Sequence, residues 1–211
     1  MRVPCTLSNV PRPRSLTTEA IAAAALAVLD RDGLPALTMR AVAAELGMGT
    51  MSLYRYVADR DELEVLVVDQ VLAGIELTPP RGRWQAQVTA LLGRMRDAVR
   101  AHPATVPLLM RHRHASAAST RWIEATLAVL TKAGFSGRDR VIAQRTITNY
   151  LLGALQAEHY SPLSGGGTAA MAALSRDEFP RLAETAADAR RVSADEEFRR
   201  GLDVVLRGLG G

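Results

Sequence analysis

Residues 49–57 read GTMSLYRYV, which sets two of the chain's four tyrosines around a single arginine in a protein only 4% aromatic. The chemistry such a group can do is recognition rather than bond making. An arginine guanidinium meets guanine or a phosphate bidentately, and a methionine packs on the thymine methyl. A tyrosine joins an apolar ring to a hydroxyl that reaches phosphate. At helical spacing Leu53 and Val57 fall on one side, Met51 and Arg55 point directly away, and Tyr54 and Tyr56 bracket that ridge. Thr50 and Ser52 stand at the amino-terminal end, where base edges are usually met. Spacing alone leaves two readings open: a surface that grips DNA, or a small packing unit with amphipathic tyrosines at its seams.

Other chemistry is thinly represented. Residues 111–115, RHRHA, hold His112 and His114 near His102. Two histidines two apart on a helix end face different ways, and no cysteine or carboxylate completes a zinc-like set, so no metal is expected. Gly165-Gly166-Gly167 follows no strand and has no lysine partner, which makes it a linker rather than a phosphate cradle. No catalytic residue and no cofactor is assigned, and a small helical enzyme stands as the competing alternative.

The elements that must position these residues are helices. Apolar residues recur three and four apart almost everywhere, which predicts an all-α chain. A first helix begins near Thr17 or Thr18 and stops at Gly33. Thr38 caps a second, whose stripe is Met39, Val42, Ala43 and Leu46. Gly47-Met48-Gly49 supplies the tight turn of a helix-turn-helix, and the third helix, about two turns long, follows. That geometry lets the third helix enter a major groove about 12 Å wide while the second crosses the backbone, with Thr38 and Arg40 beside the phosphates. Asp59 and Glu62 form a capping box for a fourth helix carrying Leu63, Leu66, Val67, Val71 and Ile75. The segment TPPRGR at 78–83 is the best domain boundary. Beyond it, helices are expected over 84–101, 105–111, 119–133, 137–159, 180–190 and 195–209, with a flexible loop at 161–167 and a marginal turn at 169–174.

Bulk properties bound the function class. The 211 residues are 48% hydrophobic with a net charge of +4, and the pI near 9.8 leans towards an anionic partner. The longest apolar run, Ala20 to Leu29, is too short to cross a bilayer. Cys5 is the only cysteine, which suits a reducing cytoplasm, and no secretory leader is recognisable. A soluble cytoplasmic protein without a membrane partner is expected. Arg2, Arg12 and Arg14, set among Pro4, Pro11 and Pro13, read either as a flexible basic arm over 1–15 or as a leader with no role.

The stretches Leu37 to Met48, Leu53 to Val57 and Asp59 to Leu63 strongly resemble the DNA-binding domain of TetR-type transcriptional repressors, over about Leu16 to Gln70. One departure is Arg60, where that family usually has lysine; arginine is not an equivalent phosphate ligand. The resemblance implies a DNA-contacting set of Thr38, Arg40, Thr50, Met51, Ser52, Tyr54, Arg55, Tyr56 and Arg60. Residues 123–159 and 196–209 look like the regulatory domain of the tetracycline-repressor subclass. That implies a homodimer joined by a four-helix bundle, with Ile147, Leu151, Leu155, Phe198, Leu202, Val205 and Leu209 at the interface. Periodicity alone would instead make these stripes intrachain core. It also implies a small-molecule effector pocket lined by Leu108, His112, Trp122, Thr126, Asn149, Leu152 and Gln156. The subclass's metal–tetracycline site looks absent: 73–80 has no histidine, and Asn149 and Gln156 stand where a histidine and a glutamate are usual.

The expected organisation is a helix-turn-helix domain at 16–60, a connecting helix and linker at 61–80, and a helical effector-binding and dimerisation domain at 81–211. Its expected function is a repressor that binds a palindromic operator in double-stranded DNA as a homodimer, its two recognition helices about 34–36 Å apart. A small molecule in the C-terminal domain releases it. A DNA-binding dimer without an effector is the alternative.

Overall fold

The computed structural model describes residues 16–210; the basic arm expected over 1–15 lies outside the described residues. Eleven α-helices and two 3₁₀ turns make up the described residues, with no strand among them. Helix α1 (Thr18–Asp32) starts where the Thr17 hydroxyl accepts the Ala20 N–H at 3.2 Å. Helix α2 (Met39–Glu45) is capped the same way, by Thr38 Oγ1 on the Ala41 N–H at 3.1 Å. Gly47 has φ +66°, a left-handed conformation that turns the chain sharply into α3 (Thr50–Leu53). Helix α4 (Arg60–Leu72) begins at Asp59, which accepts the Glu62 N–H at 2.9 Å. The Glu62 carboxylate reaches back to the Ala58 N–H at 2.6 Å, one residue before the position a capping box predicts.

The C-terminal helices are α5 (Trp84–Arg100), α6 (Val106–His112), α7 (Ala117–Lys132), α8 (Gly137–Tyr160), α9 (Gly166–Ala172), α10 (Pro180–Ala189) and α11 (Ala194–Leu209). Two expectations change here. Helix α3 has a single regular turn, and residues 54–56 continue it only as hydrogen-bonded turns. The loop expected over 161–167 ends early, because Gly166 and Gly167 open α9, which packs principally on α10. That packing overrides the poor helix propensity of glycine.

Burial follows the periodicity. Helix α1 buries Ile21, Ala22, Ala25, Val28 and Leu29 against α2 and α4. A four-residue helix has no independent stability, so Leu53 and Val57, both fully buried, hold α3 in place. Burying each contributes about 1.5–3 kcal/mol. Helix α4 passes from this cluster to α5, α6 and α7, so one core runs continuously through both parts. No helix among the described residues is long and apolar enough to cross a membrane.

The pairing of α8 with α11 buries most of the residues assigned to a dimer interface inside one chain. Ile147, Leu151 and Leu155 on α8 and Phe198 and Leu202 on α11 are all buried within one chain, and Val205 and Leu209 are half-buried. Their spacing of four builds a stripe that α8, α11 and α5 cover mutually. The outward faces carry other residues: Val141, Ile142, Arg145 and Asn149 on α8, and Val204 on α11. At the α8–α11 crossing the Tyr150 hydroxyl donates to the Phe198 carbonyl at 2.7 Å. A Cβ at Gly201 would overlap that hydroxyl and lie 3.1 Å from the ring carbon bearing it.

Gly201→Ala therefore forces Tyr150 off the α11 backbone, an overpacking cost of about 1–3 kcal/mol. The expected outcome, read by thermal circular dichroism, is a Tm lowered by roughly 3–10 °C. Adding Tyr150→Phe recovers part of the loss; a wild-type Tm in Gly201→Ala would refute the close approach.

Candidate nucleic-acid interface

The α2–α3 unit presents a polar ridge on its outer side. Met51 is 79% exposed and Tyr54 and Tyr56 are each 46% exposed, while Arg55 is exposed and has no ion pair among the described residues. Leu53 and Val57 occupy the opposite side, which fixes the outward direction of the ridge. Thr50 and Ser52 are half-buried at the start of α3. Gly49 caps α3 without a side chain, and four residues build little macrodipole, so the helix end offers N–H groups rather than a field. Thr38 accepts one hydrogen bond at its cap, leaving its hydroxyl proton free to donate to a phosphate. Arg40 is exposed beside it.

Arg60 is placed differently. Its Nε bonds Glu64 at 2.7 Å and its Nη2 bonds the Leu34 carbonyl at 3.2 Å, so much of its donor capacity is used within the protein. Glu64 is fully buried, and its carboxylate also accepts from His112 Nε2 at 2.7 Å and Arg111 Nη1 at 3.1 Å. Three cationic or N–H donors from α4 and α6 thus converge on one carboxylate. Burial pushes the Glu64 carboxyl up, but the hydrogen bonds from His112 and Arg60 and the charges of Arg60 and Arg111 outweigh it, holding the group below its ordinary value. The donor atoms of Asp61, Glu64 and His112 lie within 4.8 Å of one another. The sequence argument that no carboxylate accompanies His112 is corrected by this cluster, in which both Glu64 oxygens are already engaged by nitrogen donors. Glu64 was detectable in the sequence: it sits three and four residues before the buried Val67 and Val68, a carboxylate on a core stripe.

The residues assigned to an effector pocket lie in different surroundings. Leu108, Trp122 and Thr126 are buried in the packed interior; the Trp122 indole donates to the Leu91 carbonyl at 3.0 Å and Thr126 donates to Gln144 at 2.9 Å. His112 belongs to the Glu64 cluster. Asn149 and Gln156 are exposed and Leu152 is half-buried, all on the outer side of α8. A cavity of about 520 Å³ opens elsewhere, between the α5–α6 corner, the end of α8 and the α10–α11 link. A network anchors one wall: Glu158 binds Arg96 at 2.6 Å, and Asp195 binds Arg96 at 2.9 Å and Arg100 at 2.6 Å. These charged side chains of α5, α8 and α11 were not singled out from sequence, although Arg96, four residues after Leu92 and three before Val99, sits on a core stripe.

Comparison with known proteins covers both parts of the chain. The family described as "Bacterial regulatory proteins, tetR family" matches residues 21–64, and "Tetracyclin repressor-like, C-terminal domain" matches residues 78–210. The HTH-type transcriptional repressor DrrR1 of Streptomyces coeruleorubidus is 31% identical, covering 96% of this chain and 80% of the relative. ActR of Streptomyces coelicolor in complex with actinorhodin superposes with a TM-score of 0.80 at 27% identity, covering 93% of this chain and 96% of ActR. BioQ with its double-stranded DNA operator superposes with a TM-score of 0.70 at 25% identity, covering 92% of this chain and 98% of BioQ.

The Glu64 cluster sets a pH dependence. Because its folded value is depressed, its contribution is fully present above the ordinary 4.5 and is lost as pH falls through the lower folded value. Glu64→Gln is expected to cost about 2–3 kcal/mol near pH 7, less than a fully buried pair because Arg60 and Arg111 are half exposed. In urea titrations the gap to wild type narrows below about pH 4; a gap that stays constant down to acid would contradict the ion-pair assignment.

Proposed function

The chain belongs to the TetR family of DNA-binding transcriptional regulators, and we propose that it is a repressor binding a two-fold symmetric operator as a homodimer. The observation that carries this reading is the outward ridge of Met51, Tyr54, Arg55 and Tyr56, held by a helix too short to stand without the core behind it. Exposed aromatic and methionine side chains grouped around an arginine fit a partner surface that covers them. A DNA groove does so, with Arg55 at base edges or phosphate and the tyrosine hydroxyls, Thr38 and Arg40 at the phosphate walls. Arg60, engaged with Glu64, acts as a positioning residue for the start of α4.

The dimer reading draws on the outer faces of α8 and α11. Val141, Ile142 and Val204 are more than half exposed there, and the long terminal helices of a second copy would cover them. Small-molecule release is the third part of the proposal. ActR was crystallised with actinorhodin, and this chain has a C-terminal cavity of a size that takes small ligands. An effector that prefers the conformation with the wrong recognition-helix spacing lowers operator affinity in proportion to that preference.

A random-pool selection supplies the DNA needed to test this. Arg55→Ala and Tyr56→Ala are each expected to weaken binding to the selected sequence by about 10–100-fold, as loss of one specific contact does. Sedimentation should show the same dimer in both variants, and unchanged affinity would defeat the assignment. Binding should also fall steeply with salt, in proportion to the phosphates contacted; a flat salt response would count against phosphate-dominated recognition.

A further inference from the structure

Hydrogen bonding does not exhaust the chemistry of the cluster around Glu64. Asp61 and Glu64 stand three apart on α4 and share one face of it. His112 closes on that face from the tail of α6, its Nε2 2.7 Å from a Glu64 oxygen. One donor atom from each of the three lies within 4.8 Å of the other two, the only such set among the described residues. The second histidine–carboxylate contact, His102 with Asp30, gathers no third donor. Two members of the set are withdrawn from solvent: Glu64 has no exposure and His112 is 9% exposed. Asp61 is exposed and makes no hydrogen bond or ion pair among the described residues. A second carboxylate thus stands beside the buried one with no partner of its own, and like charges this close favour a cation between them.

We propose that Asp61, Glu64 and His112 form a site for a divalent transition metal ion of the zinc type. Two carboxylate oxygens and a neutral imidazole nitrogen are the ligand types of three-residue zinc sites, in which water fills the remaining position. The imidazole selects against magnesium and calcium, which take oxygen ligands. A charge of +2 balances the two carboxylates, a role that Arg60 and Arg111 fill at Glu64 alone. Their side chains are 45% and 61% exposed, so each can swing into solvent as the metal takes its place. Donor atoms on one tetrahedral zinc stand about 3.3 Å apart. The His112–Glu64 contact therefore opens by roughly half an ångström, and Asp61, on the exposed side, closes in. The bound ion ties α4 to α6 by coordination in place of the Arg111 ion pair. This position is not the metal–tetracycline site of the subclass, whose usual histidine and glutamate on α8 are Asn149 and Gln156 here.

The test uses the full chain carrying Cys5→Ser, which removes the one thiol, after treatment with a chelator and desalting. Zinc should bind one ion per chain, read by competition with a chromophoric chelator. At a hundredfold excess over its Kd it should raise the Tm by roughly 5–10 °C. Magnesium at the same concentration should do neither. Cobalt(II) should develop visible absorption bands that zinc removes. Asp61→Asn changes an exposed residue without a partner, so the metal-free Tm should move little. Zinc should nevertheless weaken at least about tenfold, since even a residue behind a ligand has that effect. His112→Gln should weaken zinc likewise, and His114→Gln should not. Arg111→Gln removes a competing cation and should tighten zinc by about threefold or more. Absence of zinc binding, affinity unaltered in both Asp61→Asn and His112→Gln, or equal affinity for magnesium overturns the site. Weaker zinc binding in Arg111→Gln overturns the exchange of arginine for metal.

Discussion

A carboxylate with no solvent exposure joins the two halves of this regulator. Glu64 sits on the first turns of α4, the helix that leaves the DNA-binding domain and enters the C-terminal core. A buried unpaired charge would cost several kcal/mol, so the fold must deliver donors to it. It does so from both sides: Arg60 from the same helix, Arg111 and His112 from the end of α6. The apolar contacts between α4 and α6 tolerate sliding by small amounts, whereas three hydrogen bonds to one carboxylate fix register and rotation. Any displacement of α6 must carry α4 with it or break this cluster. The relation between the recognition surface and everything downstream depends on that choice.

The recognition surface is correspondingly dependent. Helix α3 has one regular turn and cannot persist on its own backbone hydrogen bonds. Its direction is set by Leu53 and Val57, by the left-handed turn at Gly47 and by the caps at Thr38 and Asp59. Each of these is local, inexpensive and anchored to α1 or α4. The ridge of Met51, Arg55 and the two tyrosines is thus carried as a rigid attachment to α1, α2 and α4. Movement of those helices carries the ridge with it.

Much of this was legible in the sequence where the signal is local. Caps at Thr17, Thr38 and Asp59, the glycine turn and the inward pair Leu53 and Val57 depend on residues within one or two turns, and all stand as read. The helix-turn-helix order and the TetR family follow from the same short stretches. Stripes with two possible partners are harder to read. Ile147, Leu151, Leu155, Phe198 and Leu202 have the spacing of any buried helix face, and spacing cannot say whether the covering helix belongs to the same chain. The effector set meets a related limit: Leu108, Trp122 and Thr126 face inward as expected, and there Trp122 and Thr126 find hydrogen-bond partners in Leu91 and Gln144. Void space depends on how five helices pack together, and no residue spacing encodes it. Arg60 shows a third limit, since its exposure was foreseeable and its attachment to Glu64 and Leu34 was not.

The position of α6 follows from these constraints. It is seven residues long, bounded by the Pro103–Thr105 turn on one side and by Arg113 on the other. At its head His102 holds α1 through Asp30, and at its tail His112 holds α4 through Glu64. The two attachments are unequal. The head contact lies between partly exposed groups, which solvent screens, and the tail contact converges on a buried carboxylate. The architecture thus sets a firm contact at the end of α6 and a screened one just ahead of its first turn, where Pro103 and Val106 line the cavity.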